Sequence, residues 1–295
     1  MKRILKFAAP LLLIISMLTA TFPTGAAKFT SIAKNPAFSY GVDVSEWNGD
    51  LEWDKLRDIG VEFAYIRIGY YHTGKGYIDE RFKQNVKACV ENGIDFGVYV
   101  YSYVYTHSET VKCAKWVCKV LDSMGNYTKD KDTIPVAYDI EDEIQKNAVL
   151  YGKVSRTYMH NGVQKFCDTV KDNGYEPIVY SFSSFFNDFL YLDKFQNKGI
   201  RIWYASWPYN PNVKVKKKMD NGTYADIWQF SSTHIINGTV FDINACYNDF
   251  YDYAKEDSPL VIKGLKDSYS YKKSGVKPSI KVYSGNTLLK KGTDY

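Results

Sequence analysis

The stretch IPVAYDIEDE, residues 134–143, starts as a buried strand and ends in acid. Ile134, Val136, Ala137 and Tyr138 suit a strand packed on both faces, as in a parallel sheet. Asp139, Glu141, Asp142 and Glu143 follow at once. An unpaired carboxylate buried away from water is costly or shifts its pKa. Such a cluster therefore sits in water or in a site that uses it.

Two other segments end the same way. YGVDVS (40–45) gives Asp43 and Ser45, VAYDIE (136–141) gives Asp139 and Glu141, and TVFDIN (239–244) gives Asp242 and Asn244. Each is an apolar run, an Asp, an apolar residue and a polar one. Residues two apart on a strand face the same side, so each polar pair shares a face. The bland reading of a single Asp here is a cap for the next helix or turn. Three matched strand ends point instead to one acidic cleft, with Val44, Ile140 and Ile243 turned outward.

Around these segments, strand patterns at 40–44, 63–68, 96–101, 134–140, 177–182, 202–205, 226–230 and 240–243 alternate with helical ones. DERFKQNVKACVENG (79–93) puts Phe82, Val86 and Val90 on one stripe and stops at Gly93. HSETVKCAKWVCKVLDSMG (107–125) reads as a longer helix with Ser108 as N-cap. SRTYMHNGVQKFCDTVKDNG (155–174) ends at another Gly. Alternation implies a mostly parallel sheet, and about eight strands in this length imply an α/β fold closed as a modified (β/α) TIM-like barrel. Less helix separates the later strands, so the second half is expected to be irregular. In such barrels the active site lies at the C-terminal strand ends.

The rest of the 295 residues bounds the domains. Residues 1–27 carry Lys2, Arg3 and Lys6, an apolar run, then Gly25, Ala26 and Ala27, the pattern of a cleaved secretory signal. The barrel is expected over 38–254, a linker over 255–264, and an incomplete β-module or tail over 265–295. KPSIKVYSG (277–285) reads as a short C-terminal β segment reaching a turn. The net charge is +5, yet the tail from 258 holds eight Lys against Asp267 and Asp294, which leaves the barrel mildly acidic. A basic tail on an exported chain favours an anionic surface such as a cell wall; no nucleic-acid motif accompanies it. Five Cys cannot all pair within one chain, and Cys113 and Cys118 lie on different faces of their helix. Most read as small buried thiols.

Other chemistries lack their residues. His72, His107, His160 and His234 make no metal-binding spacing, so no metal or other cofactor is expected. There is no G-x-S-x-G and no phosphate-binding Gly-rich loop, so no nucleotide partner is expected. Glycoside hydrolysis needs carboxyl groups held at different pKa values, and crowding carboxylates splits them. Among aromatics at or just past strand ends, Tyr180 and Trp207 lead as sugar contacts, followed by Tyr101, Tyr103 and Trp228.

The segments YGVDVSEWNG (40–49), YIRIGYY (65–71), FKQNVKACVENGIDFGVYVYSY (82–103), PVAYDIED (135–142), PIVYSFSSFF (177–186), IWYASW (202–207), DIWQFSS (226–232) and GTVFDINACY (238–247), in this order, resemble family 25 of the glycoside hydrolases, bacterial and phage lysozymes. The resemblance implies cleavage of the β-1,4 bond between N-acetylmuramic acid and N-acetylglucosamine, with peptidoglycan glycan strands as the partner. It implies Glu141 as catalytic acid, Asp139 as its partner, and Asp43 and Asp242 as the two further acids. Two routes stay open: retention assisted by the substrate's 2-acetamido group, and inversion through an activated water. The tail resembles, more faintly, the start of Ig-like repeats of bacterial surface proteins. Two rival readings are a chitinase-like hydrolase, for which the D-x-x-D-x-D-x-E pattern is incomplete before Asp139, and a non-catalytic wall-binding protein, which would not need the four acids.

Overall fold

In the computed structural model, residues 39–207 and 225–247 are described, with two short strands at Val282–Ser284 and Thr287–Leu289. The signal segment 1–27 and the linker 255–264 lie outside the described residues. The elements in order are β1 (Ser39–Val44), α1 (Trp53–Asp58), β2 (Phe63–His72), β3 (Lys75–Ile78), α2 (Phe82–Asn92), β4 (Asp95–Ser102), α3 (His107–Asp122), β5 (Pro135–Asp139), α4 (Glu143–Leu150), α5 (Arg156–Asp172), β6 (Glu176–Phe182), α6 (Ser183–Phe189), α7 (Leu192–Gln196), β7 (Arg201–Ala205), β8 (Ile227–Ile236) and β9 (Thr239–Cys246).

Eight strands close a barrel in the order β1, β2, β4, β5, β6, β7, β8, β9, with β1 pairing both β2 and β9. Every neighbouring pair is parallel except those of β9, which runs antiparallel to β8 and to β1. The irregular second half takes this form: β8 returns through a hairpin instead of a crossover helix. β3 adds to the outside of β2 as an antiparallel ribbon. The tail strands pair antiparallel, Ser284 opposite Thr287.

Strand alternation sorts side chains into two cores. The interior holds Phe63, Tyr65, Ala137, Ile178, Tyr180, Trp203, Ala205, Ile227 and Cys246. Val42, Val44, Ile66, Val98, Val100, Val136, Tyr138, Ile140, Val179 and Ile243 face the helices in the larger outer core. Such a fill makes the interior a packed floor, not a pore. Glycine makes room for it: a Cβ at Gly41 would lie 2.3 Å from the Phe63 ring, and one at Gly97 would lie 2.6 Å from Tyr65. Tyr65 then stacks on Trp203, with ring centroids 4.3 Å apart.

Several local expectations need correction. Val90 is 46% exposed and Cys89 takes its place on the buried stripe of α2. The cap of α3 is Thr106, whose Oγ1 accepts from the Glu109 N–H, so the helix starts one residue before Ser108. The third acidic segment does not end its strand: β9 runs on to Cys246, and Asp242 stands level with Asp43 because the two are opposite each other in the antiparallel register. Asn244 lies deeper, opposite Gly41. All five cysteines are buried and none is in a disulfide.

Candidate active site

Strand ends and register bring the four carboxylates together. One pocket of about 110 Å³ is lined by Asp43, Asp139, Glu141 and Asp242 with Arg67, Tyr99, Tyr101, Tyr180, Trp203 and Gln229. Asp43 comes from the end of β1, Asp139 from the end of β5, and Glu141 from just past it. The chain beyond β5 is held in strand-like register: Ile140 N–H donates to Tyr180 O (3.1 Å), and Ser181 Oγ donates to Ile140 O (2.5 Å). This places Glu141 over the pocket.

The acid run at 139–143 divides its labour. Asp139 and Glu141 face the pocket. Asp142 caps α4, its Oδ1 accepting from Ile144 N–H at 2.8 Å while Gln145 closes a capping box. Glu143 pairs at the surface with Lys146. Ser45, paired with Asp43 in the sequence pattern, serves instead as the cap of the turn Glu46–Asn48. Asn244 donates to Asp43.

Burial shifts every one of the four acids upward. Glu141 is pushed up to about 7, by burial first and then by the charges of Asp43 and Asp142. Asp242 is pushed up to about 8 by burial and by Asp43, with which it shares a hydrogen bond. Asp139 is raised well above the usual carboxylate range by burial, then by Glu141 and Asp43, while Arg67 pulls it down. Its Oδ1 is buried and has no hydrogen-bond partner. Asp43 is raised by burial, against the donors Asn244, Gln229 and Asp242. A cluster split in this way holds neutral acids and anions side by side.

Arg67, at the mouth end of β2, supplies the positive charge lining this pocket. Its guanidinium is fixed by Asp79 Oδ2 and Glu46 Oε1, both at 2.7 Å. Asp79 is in turn held by the backbone N–H groups of Glu46 and Arg81. A bulge at Ile68 restarts the alternation of β2. Tyr71 therefore packs outside, against Trp116, and exposed Tyr70 joins Tyr77 and Tyr103.

The aromatic expectations separate. Tyr101 and Tyr180 line the pocket; Tyr101 donates to Asp142 and Tyr180 to Gln229. Trp207 stands 57% exposed, its Nε1 donating to Gln229 Oε1 at 3.2 Å. Tyr103 lies outside the lining, its ring 5.0 Å from that of Tyr101. Trp228 does not reach the pocket: it is buried in the outer core, with its Nε1 donating to Ser206 O. The strand reverses the roles of the WQF segment, turning Trp228 out and Gln229 in. Sequence reading passed over Arg67, Tyr99, Trp203 and Gln229. Parity was the available signal: Arg67 follows Phe63 and Tyr65 at two-residue steps along the inner face of β2.

Comparison with known proteins gives a family from sequence and a fold from structure. The model of glycosyl hydrolases family 25 matches residues 42–239. Lysozyme M1 of Streptomyces globisporus is 26% identical over 205 residues, which cover 69% of this chain and 65% of that protein, so the chain spans just under two thirds of this relative's length. In fold, the catalytic domain of endolysin ply40 from bacteriophage P40 of Listeria monocytogenes superposes with a TM-score of 0.58 at 21% identity, covering 75% of this chain and 98% of that one. The modular autolysin LytC of Streptococcus pneumoniae, solved in complex with a synthetic peptidoglycan ligand, gives a TM-score of 0.54 at 22% identity, covering 73% of this chain and 48% of that one. With its family model spanning most of an eight-stranded barrel whose mouth gathers four carboxylates, the chain belongs to the glycosyl hydrolases of family 25.

Proposed function

We propose that this chain is a lysozyme, an N-acetylmuramidase that hydrolyses the β-1,4 bond between N-acetylmuramic acid and N-acetylglucosamine in peptidoglycan. The observation that carries the reading is Glu141, a carboxyl raised to about 7 in a pocket shared with three other acids. A group with that pKa still carries its proton in about half of the molecules at neutral pH, where a free carboxyl has lost it, and can give it to a departing glycosidic oxygen. Family membership and the likeness to Lysozyme M1 support the substrate class.

Asp139 takes the second role. Its buried, unpartnered Oδ1 is an acceptor waiting for a donor. A sugar 2-acetamido N–H entering the pocket supplies one and favours the aspartate anion. The oriented acetamide oxygen then attacks the anomeric carbon as Glu141 protonates the leaving oxygen. The resulting oxazolinium is opened by water, which loses its proton to Glu141, and configuration is retained. Asp43, sharing one proton with Asp242, holds the negative field that stabilises positive charge at the sugar ring. Tyr180, Tyr101, Trp207 and Tyr103 would contact sugar.

Export and wall association belong to the same reading. Basic residues followed by an apolar run within 1–27 support cleavage as a secretory signal. The lysine-rich tail supports contact with an anionic wall, and the sequence of 265–295 supports the start of an Ig-like module. The test is digestion of purified peptidoglycan, with mass spectrometry of the products and NMR of the newly released anomeric centre. The expected products are disaccharides ending in reducing N-acetylmuramic acid, first released with the β configuration. Products ending in reducing N-acetylglucosamine would overturn the assignment, and first release of the α anomer would overturn the assisted route.

A further inference from the structure

Beyond the four acids, two buried amides meet at a single oxygen. Gln229 Nε2 and Asn244 Nδ2 both donate to Asp43 Oδ2, at 2.9 and 2.8 Å. An amide could present either end, but here each carbonyl is already claimed. Gln229 Oε1 accepts from Tyr180 OH (3.0 Å) and Trp207 Nε1 (3.2 Å). Asn244 Oδ1 accepts from Trp203 Nε1 (2.7 Å). Indole N–H is a donor only, so a flipped amide would set N–H against N–H at Trp203 and at Trp207. Both amides are buried, 2% exposed at Gln229 and 0% at Asn244.

Resting on the glycosidase reading, we propose that Gln229 and Asn244 are a locked pair of positioning amides. They hold Asp43 as the anion of the site and leave the proton it shares with Asp242 on Asp242. Two N–H donors on one oxygen favour the charged form of Asp43, and only one proton is needed to bridge the two carboxyls. The other groups facing Asp43 do not supply this bias: Asp139 and Glu141 from the β5 end oppose a charge there, while Tyr99 and Tyr180 are neutral and Arg67 is engaged by Glu46 and Asp79. Trp207 is the one exposed member of the relay among the described residues, so a sugar seated on its indole is linked through Gln229 to Asp43.

The test is a carboxyl-carbon NMR titration of the full chain labelled at Asp, with Asp43→Asn and Asp242→Asn assigning the signals. The expected result is that the lower apparent pKa of the pair belongs to Asp43. Gln229→Leu and Asn244→Leu should each raise it by about one pH unit, the margin by which a hydrogen bond to a charged acceptor exceeds one to a neutral acceptor. Trp207→Phe, at an exposed position, should raise it by less and guards against misfolding of the buried variants. A lower pKa on Asp242, or variants that lose thermal stability without moving either titration, would overturn the proposal. The titration needs no substrate, so it stands or falls separately from hydrolysis: a chain that cuts no glycan but titrates this way keeps the amide pair and loses the glycosidase reading.

Discussion

At the scale of single residues, the site is a problem in proton placement. Glu141 and Asp242 are raised to about 7 and about 8, far above a free carboxyl near 4. Activity that needs the Glu141 proton should therefore fall as pH rises through about 7, measured as kcat/KM on soluble glycan fragments. Arg67 pulls Asp139 down; Arg67→Met should leave Asp139 harder to ionise and move the acid limb of that profile upward. Folding stability responds with the same sign. Between about pH 4 and 8 the folded chain holds a proton on Asp242 that the unfolded chain has released, so stability is greatest at the acid end of this window and is lost as pH rises. Thermal unfolding should show a lower Tm at about pH 9 than at about pH 5. Asp242→Asn should flatten that slope, by on the order of 1–3 kcal/mol.

At the scale of elements, backbone geometry decides what reaches the mouth. Gly69 sits at φ +146° in the bulge of β2, and a Cβ there would lie 1.9 Å from the Tyr77 carbonyl oxygen on β3. Backbone cannot yield as a flexible side chain can. Gly69→Ala should cost about 3 kcal/mol or more, read by chemical denaturation, and should detach the β3 ribbon with its Tyr77. At Gly97 the added Cβ would lie 2.6 Å from the Tyr65 ring and 2.9 Å from the Pro135 carbonyl oxygen, a milder backbone approach than at Gly69, so Gly97→Ala should cost less, about 1–3 kcal/mol. The pairing of Asp139 with Glu141 was legible because period-two alternation is written directly in VAYDIE. The direction of β9 was not, since an alternating pattern reads the same whether a strand runs up or down; only the hairpin with β8 reverses it. For the same reason Trp228, offered as a sugar contact, was set on the wrong face: two adjacent residues carry no mark of which points inward.

At the scale of the whole molecule, closure by β1 makes the site. β1 bonds to β2 on one side and β9 on the other, so the first and last barrel strands bring Asp43 and Asp242 together from opposite ends of the sequence. Three acidic strand segments separated by about a hundred residues each have no local reason to meet, and the β/α alternation closed by the β8–β9 hairpin supplies it. The fold class and the four acids could thus be read from sequence. Parity marks Arg67 and Asn244 as inward-facing, but the role of Arg67 and the pairing of Asn244 with Gln229 could not be read, because they lie in what faces these residues across the barrel. The central claim is that Glu141 is the proton donor to the leaving oxygen. The most direct measurement compares kcat for the chain and for Glu141→Gln on two substrates, peptidoglycan and an aryl glycoside whose leaving group needs no protonation. The account predicts a loss of about two to four orders of magnitude on peptidoglycan and a much smaller loss on the activated glycoside. Equal losses on both substrates, or retained activity on peptidoglycan, would contradict it.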